Sequence, residues 1–289
     1  MSQTPEFDVV VLGSANLDLV SNTTHLPQPG ETIIASHYAQ HPGGKGVNQA
    51  IAAARMGART AFIGCVGSDD AGQMLRALLV SEGIDTSQLI TVPGPTGRAF
   101  ITVDDNGENC IVVVSGANRN VGDMAILLPS SHVVLAQLEI PVEVVADVFQ
   151  QAKKSGVITV LNPAPAAALS KELLLLCDFV IPNETECAAL IGPQELLAAG
   201  ASTVITTLGA RGSEITTQDS TVLMPPHTVN AVDTVGAGDA FVGALCAEFA
   251  RNTPLHEAVK IASIAGALAT TSRGAISSLP TRSDVASHF

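Results

Sequence analysis

Apolar residues are arranged along the chain in short continuous runs separated by longer segments of helical periodicity. The runs at Phe7–Leu12, 60–66 and 132–138 are rich in apolar residues and are followed by glycine or polar residues, which indicates buried strands. Between them, 71–81 and Val142–Lys154 have the apolar spacing of helices. This alternation is typical of an α/β protein, and we predict a doubly wound, mostly parallel sheet with helices on both faces.

The rest of the chain continues the same alternation. Further strands are predicted at 157–161, 179–182 and 203–207, a hairpin at 213–223, and helices at 45–56, 194–199 and 255–271. Neither an internal repeat nor a low-complexity linker interrupts it. We therefore predict that residues 1–289 form one domain.

One segment departs from the β–α alternation. Residues 98–103 and 110–114 are apolar runs on either side of Asp105-Asn106-Gly107-Glu108, which is a strong hairpin signal. The segment 31–41 is extended and ends before Pro42. Together, about 31–41 and 98–114 predict a small separate sheet within the domain.

A glycine-rich turn precedes the helical segment that follows residue 240. The turn reads Gly236-Ala237-Gly238-Asp239. Free backbone N–H groups and the helix dipole make such a turn suitable for an anion, most naturally a phosphate. Asp239 is either a capping acid that stabilises the first helical turn or a general base acting on a hydroxyl beside the phosphate.

A second glycine-rich turn, Gly43-Gly44-Lys45-Gly46, opens the helix predicted to end before Gly57. It is not a Walker A loop, because no serine or threonine follows Lys45. Lys45 and Asn48 lie within one turn of each other at the helix start, where the chain can approach a ligand closely. An ordinary loop-to-helix turn is the alternative.

Polar residues also follow predicted strands, and each has two interpretations. Asn16 and Asp18 form an Asx-type turn or face a ligand together from an extended loop. Glu139 is a solvated loop residue or faces a ligand. Asn183 and Glu186 have the spacing of a capping box, which is compatible with ligand binding.

The two glycine-rich motifs, Gly43 to Ala50 and Asp233 to Asp239, resemble the two signatures of the ribokinase family of sugar kinases, in the same order and far apart. The resemblance extends from about residue 10 to 280. It implies an ATP-dependent kinase that phosphorylates the primary hydroxyl of D-ribose to give ribose 5-phosphate. By the same resemblance, Asp239 is the base, and the N–H groups of Gly236, Ala237 and Gly238 stabilise the transferred phosphoryl group.

The resemblance also assigns the binding residues. Sugar contacts fall on Asn16, Asp18, Gly44, Lys45, Asn48, Glu139 and Asp239. Nucleotide contacts fall on Thr207, Leu208, Gly209, Ala210, Arg211, Gly212, Gly238 and Ser263, with Asn183 and Glu186 associated with Mg²⁺ and phosphate. A monovalent-cation site, usually for K⁺, matches Asp233, Val235, Ala269, Ser272, Gly274 and Ser278. The chain departs from the family in a shortened 190–201 segment and in Ser263, where asparagine is common.

In this family the small sheet is a lid over the sugar, and we expect it to form a homodimer by pairing with the lid of a second copy. A net charge of −13 and a pI near 4.8 argue against nucleic acid and anionic membranes as partners. Residues 1–8 lack a secretory pattern, and no apolar run reaches membrane-spanning length. Five scattered cysteines without a C-x-x-C pattern predict reduced core thiols in a cytoplasmic protein, and the histidine spacing argues against zinc.

Two kinds of alternative remain open at this point. In the first alternative, the protein is a kinase whose substrate is a nucleoside or a sugar other than ribose, such as 2-deoxyribose, fructose or a keto-deoxy sugar acid. In the second alternative, the protein is not an enzyme but a sugar-binding regulator with an inactive kinase fold. The intact Gly236-Ala237-Gly238-Asp239 run argues against the regulator, because an inactive site does not need the base.

Overall fold

The computed structural model of the chain describes residues 4–289, so residues 1–3 of the segment without a secretory pattern lie outside it. The strands of the described part are β1 Phe7–Leu12, β2 Asn16–Asn22, β3 His37–Gly43, β4 Thr60–Gly67, β5 Leu89–Val92, β6 Gly97–Val103, β7 Asn109–Val114, β8 Ser131–Ala136, β9 Ile158–Leu161, β10 Phe179–Val180, β11 Thr203–Thr207, β12 Ser213–Thr216 and β13 Thr221–Met224.

The helices of the described part are α1 Lys45–Arg55, α2 Asp70–Ser81, α3 Val142–Lys154, α4 Lys171–Leu174, α5 Glu184–Ala189, α6 Pro193–Ala199, α7 Ala237–Ala250, α8 Leu255–Ala269 and α9 Arg282–Ala286. Most of the predicted elements are present within a few residues of their expected bounds. The short elements β5, α4 and α9 were not predicted, because four or five residues carry too little periodicity to be recognised.

The main sheet has the strand order β13-β12-β11-β10-β9-β8-β1-β4-β5. Its strands run parallel from β5 to β11, and β12 and β13 extend it as an antiparallel hairpin. Alternate residues of β1 belong to two hydrophobic cores, one on each face of the sheet. Val9 and Val11 pack with α1, α7 and α8, whereas Val10 and Leu12 pack with α3 and α6. The predicted sheet with helices on both faces is therefore confirmed.

The order of the strands places a crevice beside β1. From β1 the chain builds outward through β4 to β5, and it then returns to β8 and builds in the opposite direction through β9 and β10. The chain therefore leaves the carboxyl ends of β1 and β8 in opposite directions. Ligands of open α/β sheets bind at such a switch point.

The small sheet has the order β3-β2-β6-β7 and differs in two ways from the prediction. Asn16 and Asp18 were expected in a loop, but they belong to β2, which is paired on both sides. The first lid strand was expected over 31–41, but residues 31–36 form no strand and β3 includes Pro42. Proline is tolerated there because β3 is an edge strand.

The opposite edge of the small sheet is apolar and uncovered. All six residues of β7 are exposed, among them Ile111, Val112 and Val113 at 51%, 58% and 48%. Cys110 is exposed on the same strand, whereas the other four cysteines are buried. The prediction of core thiols was therefore wrong for Cys110, because no layer covers β7. None of the helices described over residues 4–289 is long and apolar enough to cross a membrane.

Helix α7 lies very close to α1. A Cβ atom added at Gly243 would lie 2.5 Å from the Cβ of Ala52 and 2.7 Å from the carbonyl oxygen of Gln49. Real Cβ atoms do not approach other atoms so closely, so glycine is required at this crossing. As a result, the amino-terminal turn of α7 meets the amino-terminal half of α1.

Candidate active site

Polar side chains follow successive parallel strands at the same edge of the main sheet. Asn16 follows β1, Glu139 follows β8, Asn162 follows β9 and Asn183 follows β10, while Thr207 ends β11. Because the carboxyl ends of parallel strands meet at one edge, these residues line one continuous region. The described residues Asn183 and Thr207 are also joined by an isolated β-bridge.

Asp239 lies in the first turn of α7, where the sequence predicts it. Gly236 caps this helix in the left-handed conformation, with a φ of 82°, which favours glycine. The carboxylate of Asp239 accepts a hydrogen bond on each oxygen. The amide nitrogen of Asn48 donates to Oδ2 at 2.9 Å, and that of Gln49 donates to Oδ1 at 2.8 Å. Two residues of α1 therefore fix the orientation of this carboxylate.

The backbone at the start of α7 is available to an anion. Among the described residues, none accepts a hydrogen bond from the N–H groups of Gly236 and Gly238, whereas Ala237 donates to the carbonyl of Thr234 at 3.3 Å. A Cβ at Gly238 would meet nothing within 4 Å, so this residue faces open space. Free N–H groups together with the positive end of the helix dipole favour negative charge.

Glu139 joins three parts of the site. Its Oε2 accepts hydrogen bonds from the hydroxyl of Ser14, from the backbone N–H of Lys45 at 3.2 Å and from the amide nitrogen of Asn16 at 3.4 Å. The glycines of the first motif allow α1 to approach these groups. A Cβ at Gly46 would lie 2.5 Å from the backbone nitrogen of Ser14.

Gly44 caps α1 with a φ of 93°, and a Cβ at this position would lie 2.8 Å from the backbone nitrogen of Asn16. The Gly44 carbonyl accepts from the backbone N–H of Asn48 at 3.0 Å. The structure thus brings the predicted sugar-binding residues and Asp239 into one cluster.

Charge in this cluster is strongly unbalanced. Burial, together with the nearby carboxylates of Glu139 and Asp239, raises the pKa of Asp18 to about 7. Near neutral pH the protonated and ionised forms of this carboxyl group are therefore both populated, and the protonated form can donate a hydrogen bond as well as accept one. Burial acts to lower the pKa of Lys45, but the carboxylates of Asp239, Glu139 and Glu186 outweigh it and the pKa is raised. Lys45 therefore stays charged.

Two neighbouring cavities meet at the start of α7. A polar cavity of about 190 Å³ is lined by Lys45, Asn162, Asn183, Glu186 and Asp239, among others. A more apolar cavity of about 320 Å³ lies between the 226–231 loop, α7 and α8. Thr207 and Gly238 line both cavities, so an extended ligand can occupy the two together.

Most of the predicted nucleotide-binding residues line the apolar cavity, and two do not. Thr207, Gly209, Ala210, Gly212, Gly238 and Ser263 line the apolar cavity. Leu208 and Arg211 are outside its lining, and Arg211 instead forms an exposed ion pair with Glu184. The hydroxyl of Ser263 donates to the carbonyl of Val259 at 2.8 Å, so only its lone pairs face a ligand.

Asn183 and Glu186 form the expected capping box of α5, with the backbone N–H of Glu186 donating to Asn183 at 2.7 Å and that of Asn183 donating to Glu186 Oε2 at 2.9 Å. The other oxygen of Glu186 accepts no hydrogen bond from the described residues. The capping role therefore leaves one carboxylate oxygen available beside the polar cavity.

Asp233 connects the loop before α7 to the loop after α8. Its carboxylate accepts from the backbone N–H groups of Val235 at 3.1 Å and Gly274 at 2.9 Å. The hydroxyl of Ser278 donates to the carbonyl of Ala275. Within the described part of the chain, the carbonyl oxygens of Val235, Ala269, Ser272 and Gly274 accept no hydrogen bond. A carboxylate with free carbonyl oxygens nearby is a donor set suited to a hard cation.

The structure adds residues that the sequence did not identify. Asn118 accepts from the backbone N–H of Ala15 at 2.9 Å and donates to Oδ1 of Asn16 at 2.7 Å, which fixes the Asn16 amide. Gln49 donates a hydrogen bond to Asp239, and Asn162 lines the polar cavity. Gln49 falls within the first glycine-rich motif, and this is the one signal that pointed to it.

Comparison with known proteins identifies the family of the chain. The family model for pfkB family carbohydrate kinase matches residues 6–282. The chain is 41% identical to a ribokinase of Haemophilus influenzae over 96% of each chain, and 35% identical to a deoxyribokinase of Salmonella typhimurium over 94% of this chain and 95% of the relative. A structure of Arabidopsis thaliana ribokinase complexed with ribose and ATP aligns with a TM-score of 0.89 at 30% identity and covers 99% of both chains. The resemblance seen in the two motifs is confirmed, and the chain belongs to the pfkB family of carbohydrate kinases.

Proposed function

We propose that the protein transfers the γ-phosphoryl group of ATP to the primary hydroxyl of D-ribose, giving ribose 5-phosphate and ADP. The observation that carries the proposal is the position of Asp239. Its carboxylate lies at the junction of a helix start suited to an anion and a cluster of side chains suited to sugar hydroxyls. The ribokinases among its relatives support the choice of ribose.

In this mechanism Asp239 is the general base. The hydroxyl oxygen of the sugar forms a bond to the γ-phosphorus, the bond from phosphorus to the bridging oxygen of ADP breaks, and the hydroxyl proton passes to Asp239. Each oxygen of this carboxylate accepts one hydrogen bond, from Asn48 or Gln49, so each keeps a lone pair for the proton.

The start of α7 stabilises the charge of the phosphoryl group in transfer. The N–H groups of Gly236 and Gly238 are free, and that of Ala237 would exchange its long bond to Thr234 for a phosphoryl oxygen. Lys45 borders the same polar cavity and stays charged, so its ammonium would neutralise part of the negative charge.

The sugar would be bound by Asn16, Asp18, Gly44, Lys45, Asn48 and Glu139. Oδ1 of Asn48 is buried and has no hydrogen-bond partner among the described residues, so a sugar hydroxyl would satisfy it. Three carboxylates surround the single lysine of this cluster. An additional negative charge on the substrate would be repelled, which favours a neutral sugar over a sugar acid.

The adenine and ribose of ATP would occupy the apolar cavity, and the phosphates would extend past Gly238 into the polar cavity. Asn183 and Glu186 would hold Mg²⁺ through water. Bound Mg²⁺ would neutralise phosphate charge, a role that needs few protein ligands because phosphates and water complete its shell. The Asp233 loop, with Val235, Ala269, Ser272, Gly274 and Ser278, would hold K⁺ and stiffen the turn before α7.

The small sheet would act as a lid over the sugar and as the contact between two copies. Its edge strand β7 exposes apolar residues that a second lid would cover. Five free cysteines, four of them buried, support a location in the reducing cytoplasm.

The base assignment predicts the behaviour of Asp239→Asn. An amide cannot accept the proton, so kcat should fall roughly 10²–10⁴-fold while nucleotide binding persists. A coupled assay with ribose and ATP measures kcat, and calorimetry with ADP measures binding. The control Asp105→Asn removes a carboxylate from the exposed hairpin turn and should leave both unchanged. If Asp239→Asn keeps more than half the rate, Asp239 is not the base.

The sugar contacts predict discrimination between ribose and 2-deoxyribose. Asn16 is buried and the carboxyl group of Asp18 makes no hydrogen bond to the described residues, so both side chains are positioned to bind the 2-hydroxyl. A buried polar group left unpaired costs about 1–3 kcal/mol. Ribose should therefore exceed 2-deoxyribose at least roughly tenfold in kcat/KM, measured at saturating ATP. Equal values, or a preference for deoxyribose, would reject ribose as the preferred substrate and leave the kinase assignment intact.

The cation site predicts a dependence on K⁺. At constant ionic strength, the rate in Na⁺ alone should be well below the rate in K⁺, because the smaller ion fits the loop carbonyls less well. Asp233→Asn should abolish this difference, whereas Asp105→Asn should retain it. Equal wild-type rates in the two salts would show that this loop does not hold an activating cation.

The lid predicts a dimer. The wild-type protein should sediment as a dimer at micromolar concentration, and Val112→Asp on β7 should convert it to a monomer by placing a charge in the apolar contact. Val80 on α2 is equally exposed, at 57% against 58%, so Val80→Asp is a matched control that should remain dimeric. A monomeric wild-type protein contradicts this arrangement.

A further inference from the structure

Gln49 is the centre of a buried network of side-chain amides that ends on Asp239. Its amide nitrogen donates to Oδ1 of Asp239 at 2.8 Å and to Oδ1 of Asn162 at 2.9 Å. Its carbonyl oxygen accepts from the amide nitrogen of Gln137 at 2.6 Å. Gln49 and Gln137 are 0% exposed, so these two amides are closed to solvent.

The network determines which end of the Gln49 amide faces Asp239. The amide nitrogen of Asn162 donates to the backbone carbonyl of Ile181 at 2.8 Å, and a carbonyl can only accept. Asn162 must therefore turn its oxygen toward Gln49. Gln49 must in turn present its nitrogen, and both of its N–H groups are then used, one on Asn162 and one on Asp239.

Asp239 needs such a constraint because of its surroundings. The carboxylates of Asp18 and Glu139 lie close enough to it to influence one another, and like charges repel. A base free to rotate about its side-chain bonds would turn away from them and lose its alignment with the hydroxyl. The Gln49 bond restrains one oxygen from the buried side, opposite the cavity that Asp239 lines.

We infer that Gln49 is a positioning residue for phosphoryl transfer, which holds Oδ1 of Asp239 so that the carboxylate faces the sugar hydroxyl. It is absent from the lining of both cavities, so it acts through Asp239 and not on the substrate. This inference rests on the proposed kinase function, because it concerns the base of that reaction.

The principal experiment is a double-mutant cycle. Gln49→Met keeps the approximate length of the side chain and removes both donors, and kcat for ribose should fall roughly 10- to 100-fold, the scale of a misaligned reacting group. KM for ribose should stay within about twofold, because Gln49 does not contact the sugar. In a protein that already carries Asp239→Asn, Gln49→Met should lower kcat by less than about threefold.

A general loss of buried hydrogen bonding would give a different result. It would lower kcat by the same factor with or without the Asp239 carboxylate, and that result would overturn the inference. Thr159→Val is the matched control, because Thr159 is 0% exposed and its hydroxyl donates to Leu176, away from Asp239. It should destabilise the protein to urea, as Gln49→Met does, and leave kcat within about twofold.

A second measurement needs neither a folded Gln49 variant nor an active enzyme. In the protein labelled with ¹⁵N-glutamine, the side-chain amide of Gln49 should exchange slowly with solvent, and Asp239→Ala should shift its resonance and accelerate that exchange at least tenfold. An unchanged resonance would overturn the inference. Failure of the proposed function is seen separately, as a wild-type protein that phosphorylates no sugar while the NMR result still holds.

Discussion

The close crossing of α7 over α1 is the contact on which the site depends. It requires Gly243, because any larger residue would overlap Ala52 and the backbone of Gln49. The crossing places the first turn of α7 beside the amides of Asn48 and Gln49, and these donate to both oxygens of Asp239. The proposed base and the N–H groups beside it therefore come from one helix end, held in place by a second helix.

A second constraint is electrostatic. Asp18, Glu139 and Asp239 lie near one another, and the carboxylates of Asp239, Glu139 and Glu186 raise the pKa of Lys45. Gathering three carboxylates in a buried site is costly: burial is the largest cause of the rise in the pKa of Asp18 to about 7, and repulsion from Glu139 and Asp239 adds to it. The same feature is useful to a kinase of neutral sugars, because it supplies many hydrogen-bond acceptors and repels substrates that already carry a phosphate. The acidic net charge of the whole chain, in contrast, does not indicate which substrate charge the site favours.

The sequence predicted those parts of the molecule that depend on local pattern. Alternating apolar runs located most strands and helices, and the glycine-rich motifs located the starts of α1 and α7. The small sheet was only partly predicted, because β2 is defined by its partners β3 and β6 and not by its own alternation. The amides of Gln137, Asn162 and Asn118 were not assigned a role for a related reason. Each meets its partner across a large separation along the chain, as the difference of 113 in residue number between Gln49 and Asn162 illustrates.

The network around Asp239 consists of neutral amides, and this choice has a physical consequence. A lysine or arginine in place of Gln49 would also hold the carboxylate, but its charge would favour the ionised form so strongly that proton transfer from a hydroxyl would become harder. Amides orient the carboxylate at a smaller cost to its basicity. They also have distinct donor and acceptor ends, so the fixed carbonyl of Ile181 sets the direction of Asn162, Gln49 and finally Asp239. The geometry of the proposed base is thus anchored in the backbone that follows β10, at Ile181, which also lines the polar cavity.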